Sequence, residues 1–169
     1  MKKFRLLTLV LALTVGLMTA AGCAKKNVDA DLNAQNGGLA GVNGSGTSMT
    51  PIEVAAEAIS DGIIYFDYNK YDIRAEYRDI LAQKAELMRQ YPSIRVRIEG
   101  NCDERGTQEY NLALGERRAR AAYEYMIMLG VNPSQIDIIS YGKERPVVSG
   151  SGEEAWSMNR RDDFRVLSK

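Results

Sequence analysis

Residues 94–99 alternate between apolar and charged side chains, reading Ile-Arg-Val-Arg-Ile-Glu. A period of two is typical of a β-strand that has one buried face and one face in water. Compact apolar runs bounded by turn residues have the same interpretation elsewhere in the chain. They predict three further strands, over residues 63–66, 136–141 and 163–167.

Apolar residues spaced three and four positions apart predict helices between these strands. Asp72 can act as the N-cap of a first long helix over residues 73–91, and Pro92 ends it. Thr107 can cap a second long helix that ends near Gly130. Two short helices are also predicted, over residues 52–59 and 153–158.

The order of these elements predicts the class of fold. After the first short helix, the chain runs strand, helix, strand, helix, strand, short helix, strand. The charged outer face of residues 94–99 indicates that helices cover only one face of the sheet. We therefore expect an α/β two-layer sandwich, with two main helices on one face of a mixed four-stranded sheet.

The chain begins with a segment typical of exported precursors. Positive charges precede an apolar run over residues 6–18, which is shorter than the roughly 20 residues that span a membrane. Cleavage after Gly22 would leave Cys23 at the N-terminus. This arrangement resembles a bacterial lipobox, with Ala20 where leucine is usual, and implies a lipoprotein signal peptide over residues 1–22 with lipidation at Cys23. The alternative is ordinary secretion, with Cys23 an incidental thiol.

A polar, glycine-rich segment follows this cysteine. Residues 24–50 contain five glycines and no aromatic residue, so they cannot bury enough apolar surface to offset the entropy of ordering. A coil of this length reaches about 30 Å on average. Residues 23–50 are therefore predicted to be the lipidated cysteine and a flexible tether, and residues 51–169 the folded domain.

Charge and composition exclude some classes of function. Without residues 1–23 the chain has 19 basic and 22 acidic side chains, a net charge of −3. A nucleic-acid-binding protein would show a basic patch or stripe, so we expect no nucleic-acid partner. The chain has no histidine, the commonest general base and a frequent metal ligand. We expect no metal, no cofactor and no catalytic residue; a cysteine hydrolase based on Cys102 is the enzymatic alternative, and it would lack its usual base.

The stretch over residues 99–119 carries the candidate site. It places Asp103 in a loop between two glycines, and it places Arg118 in the apolar stripe of the second long helix. A buried guanidinium without a partner is costly, and Asp103 is the natural partner. Two interpretations remain open on this pattern. Asp103 and Arg118 form a salt bridge that staples the fold, or they hold the two ends of a zwitterionic ligand.

Other polar residues around this stretch have less specific interpretations. Asn111 lies beside the apolar stripe, where it can bond to the protein or to a ligand. The Asn-Arg-Arg sequence at 159–161 is most simply ordinary surface charge. Cys102 has no disulfide partner if Cys23 is lipidated, and is then a small packing residue. Solvated surface positions are predicted for Glu104, Arg105 and Glu109.

Several motifs, in this order along the chain, resemble an OmpA-like domain. They are Tyr65-Phe66-Asp67, residues 99–107 (Glu-Gly-Asn-Cys-Asp-Glu-Arg-Gly-Thr), residues 110–119 (Tyr-Asn-Leu-Ala-Leu-Gly-Glu-Arg-Arg-Ala), residues 140–146 (Ser-Tyr-Gly-Lys-Glu-Arg-Pro) and residues 159–161. With the lipobox-like cysteine, they resemble the lipid-anchored branch of that family, the peptidoglycan-associated lipoproteins. The resemblance covers about residues 60–167 and the N-terminal anchor. Cys102 departs from it, standing where threonine or serine is usual, and so does Asp162-Asp163, where an apolar residue and Glu are usual.

This resemblance implies a fold, a ligand and a site. The fold of the family is a two-layer α/β sandwich, and its ligand is the peptide stem of peptidoglycan, bound without covalent attachment. By resemblance, Asp103 and Arg118 hold the amino and carboxylate ends of diaminopimelate. The same groove would be lined by Phe66, Asp67, Tyr68, Asn69, Asn111 and Arg160.

The resemblance also implies a place in the cell and a partner. A lipid on Cys23 would anchor the protein in the outer membrane, and Ala24 after that cysteine fits outer-membrane sorting. The periplasmic domain would hold the cell wall and contact a TolB-like periplasmic protein of the Tol-Pal system, which serves envelope integrity and cell division. The alternative is a secreted or differently anchored OmpA-like wall-binding module outside the Tol system, such as a stator-type or porin-linked one.

Overall fold

The structure is a computed structural model of the chain, and it describes residues 49–169. The predicted signal peptide (1–22), Cys23 and the predicted tether up to residue 48 lie outside the described residues. Within residues 49–169, no helix is long and apolar enough to cross a membrane.

Helices and strands alternate along the described part of the chain. They are α1 (Pro51–Ser60), β1 (Ile64–Tyr65), α2 (Arg78–Gln90), β2 (Arg95–Asn101), α3 (Gln108–Met128), β3 (Ile136–Gly142), α4 (Glu153–Asn159) and β4 (Arg161–Ser168). Each predicted strand and helix is present, with boundaries moved by a few residues. Single turns of 3₁₀ helix precede α2 at Ala75–Tyr77 and β3 at Pro133–Gln135.

The four strands form one mixed sheet in the order β1-β4-β2-β3. β2 runs parallel to β3 and antiparallel to β4, and β1 runs antiparallel to β4. Ile98 lies opposite both Phe164 and Ile138 in this register, so the apolar residues of the three strands share the face that packs on the helices. The predicted two-layer α/β sandwich is confirmed.

The start of α2 differs from the prediction. Asp72 lies in a bend and caps nothing, because Arg74 has an extended backbone (φ −66°, ψ 147°) and the chain becomes α-helical only at Arg78. Arg74 is held in this loop by ion pairs to Asp67 at 3.5 Å and to Glu76 at 2.9 Å. The loop therefore extends further from β1 than the apolar pattern indicated.

Two glycines set the position of α3 on the sheet. A Cβ added at Gly100 in β2 would overlap the backbone carbonyl of Gly115 in α3, and one added at Gly115 would overlap the Ser140 hydroxyl of β3. The helix backbone therefore lies directly against the strand backbones. Arg118 follows Gly115 by one turn, so this close approach brings its side chain to the carboxyl end of β2.

Candidate ligand-binding site

A cavity of about 130 Å³ lies where β2 ends and α3 begins. The predicted N-cap of α3 is confirmed, since the Thr107 hydroxyl accepts a hydrogen bond from the Tyr110 N–H at 3.2 Å. The N-terminal end of a helix carries a partial positive charge, which favours an anion nearby. The cavity is lined by Tyr68, Asn69, Cys102, Asp103, Arg105, Gly106, Tyr110, Asn111, Leu114 and Arg118.

Arg118 lies at the base of this cavity with none of its surface exposed. Its Nε donates to the Lys70 carbonyl at 2.9 Å. Its Nη1 donates to the Asn101 carbonyl at 2.8 Å and to the Cys102 sulfur at 3.4 Å. Its Nη2 donates to the Asp67 carbonyl at 3.3 Å. Every one of these partners is a neutral group.

The charge of Arg118 is therefore not balanced by a direct ion pair. Among residues 49–169, no carboxylate oxygen lies within 4.0 Å of its guanidinium nitrogens. Burial lowers the pKa of Arg118, but a guanidinium stays protonated in proteins. The ring of Phe66, 5.0 Å from the guanidinium carbon, adds a cation–π contact. The base of the cavity thus carries a fixed positive charge.

Asp103 does not pair with Arg118, so the stapling salt bridge considered from the sequence is wrong. Its Oδ1 accepts from the backbone N–H and the Nε of Arg105, both at 3.1 Å, and its Oδ2 accepts from Nη2 of Arg105 at 2.6 Å. Arg160 adds a contact at 3.4 Å. The physical reason is local, because the tight turn after Asp103 brings Arg105 back onto the carboxylate.

The pKa of Asp103 results from two opposing effects. Burial raises the pKa of this carboxyl, which is 4% exposed, and the hydrogen bonds from Arg105 and Arg160 lower it further than burial raises it. The net pKa lies below the ordinary value. Asp103 is therefore ionised at neutral pH, which an acceptor for an ammonium group requires.

Arg105 is not the solvated surface residue that the sequence suggested. Its guanidinium lies 3.9 Å from the ring centroid of Tyr68 and 4.0 Å from that of Trp156, and it forms an ion pair with Asp103. Its side chain remains 28% exposed. The Asp-x-Arg spacing in the sequence is a weak indication of the turn that pairs Arg105 with Asp103. The contacts with the two aromatic rings could not be predicted, because the rings come from distant parts of the chain.

The polar cluster at 159–161 is buried, so its interpretation as ordinary surface charge is wrong. Arg160 donates from Nε to the Phe66 carbonyl at 2.9 Å and from Nη2 to Glu153 at 2.5 Å. Asn159 Oδ1 accepts from the backbone N–H groups of Val147 and Val148 at 2.8 and 3.1 Å. These contacts join β1, α4 and the preceding loop around Asp103.

Three of the six predicted groove residues line the cavity, whereas Phe66, Asp67 and Arg160 do not. Tyr68, Asn69 and Asn111 line it. Phe66 lies buried below Arg118. Asp67 offers its backbone carbonyl to Arg118, while its exposed carboxylate pairs with Arg74. Sequence reasoning missed five lining residues: Cys102, Arg105, Gly106, Tyr110 and Leu114. Helical spacing from Arg118 could have found Leu114, one turn earlier on α3.

Cys102 is a buried packing residue, as predicted. Its thiol donates to the Asn111 carbonyl at 3.3 Å and accepts from Arg118. Burial raises the pKa of Cys102 to about 11. A thiol that stays protonated is a poor nucleophile, which argues against the cysteine hydrolase alternative.

The described residues form a small two-layer α/β domain with a charged, partly enclosed cavity lined by Asp103 and Arg118. Residues 65–160 match the OmpA family. The chain is 39% identical to the peptidoglycan-associated lipoprotein of Pseudomonas aeruginosa over 160 residues, covering 91% of this chain and 94% of that protein. The chain belongs to the OmpA family and, within it, to the peptidoglycan-associated lipoproteins.

Solved structures agree with this membership. The crystal structure of the peptidoglycan-associated lipoprotein from Burkholderia pseudomallei superposes with a TM-score of 0.64 at 40% identity, over 65% of this chain and 93% of that chain. The C-terminal domain of Helicobacter pylori MotB superposes with a TM-score of 0.60 at 20% identity, over 64% of this chain and 86% of that chain, and shares the fold. The peptidoglycan-associated lipoproteins are structural proteins, so membership among them confirms the prediction that the chain is not an enzyme.

Proposed function

We propose that the domain binds the peptide stem of peptidoglycan without covalent attachment, by holding the zwitterionic end of diaminopimelate. Asp103 would accept hydrogen bonds from the ligand's ammonium group, and Arg118 would donate to its carboxylate. Both contacts are charge-assisted, which makes them stronger than hydrogen bonds between neutral groups. The names of the relatives, peptidoglycan-associated lipoproteins, support this class of ligand.

The observation that carries the proposal is the buried charge of Arg118 at the base of a cavity, where no carboxylate of the described residues forms a direct ion pair with it. Its described contacts use four of its five N–H groups and leave one on Nη2 for a ligand. A carboxylate that enters the cavity would form the direct ion pair that Arg118 lacks within the described residues, in a site shielded from water. The size of the cavity, about 130 Å³, suits the amino-acid end of a ligand rather than a whole peptide.

Retention on purified sacculi tests this assignment. We expect Asp103→Ala and Arg118→Glu to reduce co-sedimentation at least about tenfold, because each removes one charge-assisted contact of 1.4 kcal/mol or more. Arg120→Ala is the matched control, since Arg120 is an exposed residue of α3 that pairs with Glu116 at 2.8 Å. Wild-type retention by a folded Asp103→Ala or Arg118→Glu variant would refute the site.

We further propose that a lipid on Cys23 anchors the protein in the outer membrane, with the domain in the periplasm. The lipobox-like sequence and the family of lipoproteins support this anchor. In this arrangement residues 24–50 span the gap to the wall, and the protein links the outer membrane to peptidoglycan. Accumulation of a larger precursor in cells treated with globomycin is the expected result, and normal processing under that treatment would refute lipidation.

A TolB-like periplasmic protein is the proposed protein partner, within the Tol-Pal system of envelope integrity and cell division. Membership among the peptidoglycan-associated lipoproteins supports this partner. Crosslinking in intact cells, followed by purification of the tagged chain, tests it. We expect a crosslinked species that contains the TolB-like protein, and its absence under conditions that capture other envelope contacts would favour a wall-binding module outside that system.

A further inference from the structure

The carboxylate of Asp103 is already fully engaged within the protein. A carboxylate has about four sites that accept hydrogen bonds. Arg105 occupies three of them, with its backbone N–H, Nε and Nη2, and Arg160 approaches Oδ2 at 3.4 Å. An ammonium group can therefore bond to Asp103 only if it replaces one of these donors.

Arg105 is the donor that can yield. The side chain of Arg160 is 6% exposed and is also fixed by the Phe66 carbonyl and by Glu153. The side chain of Arg105 is 28% exposed and lines the cavity. Beyond its bonds to Asp103, it has aromatic contacts and a distant carboxylate, which restrain its position weakly.

The surroundings of Arg105 provide a second position for its charge. Its guanidinium carbon lies 3.9 Å from the ring centroid of Tyr68 and 4.0 Å from that of Trp156, and a cation can shift over a ring face while it keeps the cation–π contact. Glu153 Oε2 lies 3.9 Å from Nη2 of Arg105, on a carboxylate that is 64% exposed. A short shift would therefore exchange the ion pair with Asp103 for one with Glu153.

We propose that Arg105 is an internal competitor for the ligand's ammonium group: it holds Asp103 in the empty site, moves to Glu153 when the ligand binds, and thereby weakens the affinity. This inference rests on the proposed function of the Asp103–Arg118 site. In this role Arg105 keeps the affinity for the ligand low enough for the ligand to dissociate. In the ligand-free site, Arg105 neutralises and orients the Asp103 carboxylate. The free energy of binding at that carboxylate is then only the difference between the ion pair with the ligand and the ion pair with Arg105.

The test compares two ligands and two variants by calorimetry. The ligands are a diaminopimelate-containing muropeptide with its free amine and the same muropeptide with that amine acetylated. Arg105→Gln removes the charge and keeps most of the side-chain length. Arg120→Ala is the control, and thermal unfolding checks that each variant is folded.

We expect Arg105→Gln to bind the free-amine muropeptide about fivefold more tightly than the wild type, since partly exposed ion pairs contribute up to about 1 kcal/mol. The acetylated muropeptide does not need Asp103, so its affinity should change less than twofold. Weaker binding of the free-amine ligand by folded Arg105→Gln, or an equal gain for both ligands, would overturn the proposal.

A second measurement does not depend on any variant. Trp156 is the one tryptophan of the chain, and it contacts Arg105 directly. We expect the free-amine muropeptide to change the emission of Trp156 in the wild type and the acetylated one to leave it unchanged. Calorimetric binding of the free-amine ligand with no change in emission would refute the movement of Arg105 alone. Absence of calorimetric binding in the wild type would instead refute the proposed function.

Discussion

Arg118 and Lys84 are both buried cations whose backbone partners are carbonyl oxygens, but they lie in different surroundings. Arg118 has no exposed surface and lines the cavity at the start of α3. Lys84 is 2% exposed; its ammonium donates to the carbonyls of Ile59 at 2.5 Å and Asp61, and lies 4.7 Å from the Phe164 ring centroid. It therefore ties the carboxyl end of α1 to the core, where carbonyls lack helical partners.

The two side chains differ in whether they can lose their positive charge. Burial lowers the pKa of Lys84 to about 8, so this side chain can become neutral near physiological pH. Arg118 cannot, because a guanidinium keeps its proton in proteins. A buried lysine that is bonded to a helix end stabilises the fold, whereas a buried arginine that faces a cavity keeps a charge that a ligand can balance. The contrast indicates that burial alone does not mark a functional site.

The largest expected effect separates the two cations by binding. Arg118→Gln should lose about a hundredfold or more in affinity for a diaminopimelate muropeptide, because a buried charge-assisted contact is removed. Lys84→Gln should bind within twofold of the wild type. Calorimetry on both folded variants measures this, and an equal loss in the two would remove the functional distinction.

Lys84, which we expect to matter little for binding, should matter for the stability of the fold. Lys84→Met keeps the apolar stem of the side chain and leaves the carbonyls of Ile59 and Asp61 without this donor. We expect a loss of about 2 kcal/mol in the free energy of unfolding, typical of buried polar groups left unpaired. Urea denaturation measures it. Unchanged stability would mean that Lys84 does not fasten α1 to the core.

A buried acid near Arg118 sharpens the comparison further. Asp162 is fully buried on the helix-facing side of β4, opposite Gly100, and neither of its oxygens has a hydrogen-bond partner among the described residues. Burial raises the pKa of Asp162 well above its ordinary value, so this carboxyl binds a proton more readily in the folded state than in the unfolded chain. Raising the pH above the ordinary carboxyl range therefore favours unfolding.

Asp162→Val should accordingly stabilise the domain by about 1–2 kcal/mol at neutral pH, and by less at pH 4. Chemical denaturation at both pH values gives the comparison. A loss of stability at neutral pH would show that Asp162 is ionised and acts as the counter-charge of Arg118. In that case Arg118 would differ from Lys84 because a buried carboxylate of the protein balances its charge, and not because it faces a ligand-binding cavity.

The smallest expected effect is the pH dependence of Lys84. Its folded pKa of about 8 is below the ordinary value of 10.5, so between these values the unfolded chain binds more protons than the folded one. Stability therefore rises with pH in that window, by about 1 kcal/mol or less between pH 8 and pH 9. The difference between the wild type and Lys84→Met isolates this contribution. A difference that stays constant over the window would mean that Lys84 keeps its proton.

Much of the fold could be predicted because regular elements depend on local periodicity. The alternation in β2 and the three-to-four spacing in α3 located both elements, and the Thr107 cap followed from residue type. The start of α2 could not be predicted, because Arg74 has an extended backbone and its side chain contacts Asp67, which lies outside the helical pattern. Local propensity does not include such contacts.

The sequence predicted which charged residues form the candidate site, but not which of them pair with one another. Helical spacing placed Arg118 inward, and the structure agrees. The partner of Asp103 was assigned wrongly, because Arg105 reaches the carboxylate through a two-residue turn that the helical argument did not consider. The aromatic rings that contact Arg105 come from a loop and a helix far apart in the chain.

The sequence by itself determined which side chains of the regular elements β2 and α3 point into the protein, since helix and strand periods are fixed by backbone geometry. It therefore determined the two layers and the inward position of Arg118. The tertiary structure alone decided which charged groups meet which partners: Arg105 and Arg160 meet Asp103, and Arg118 meets carbonyls from two separate segments, the loop after β1 and the end of β2. The reason is that such contacts depend on the path of loops, which long-range packing sets.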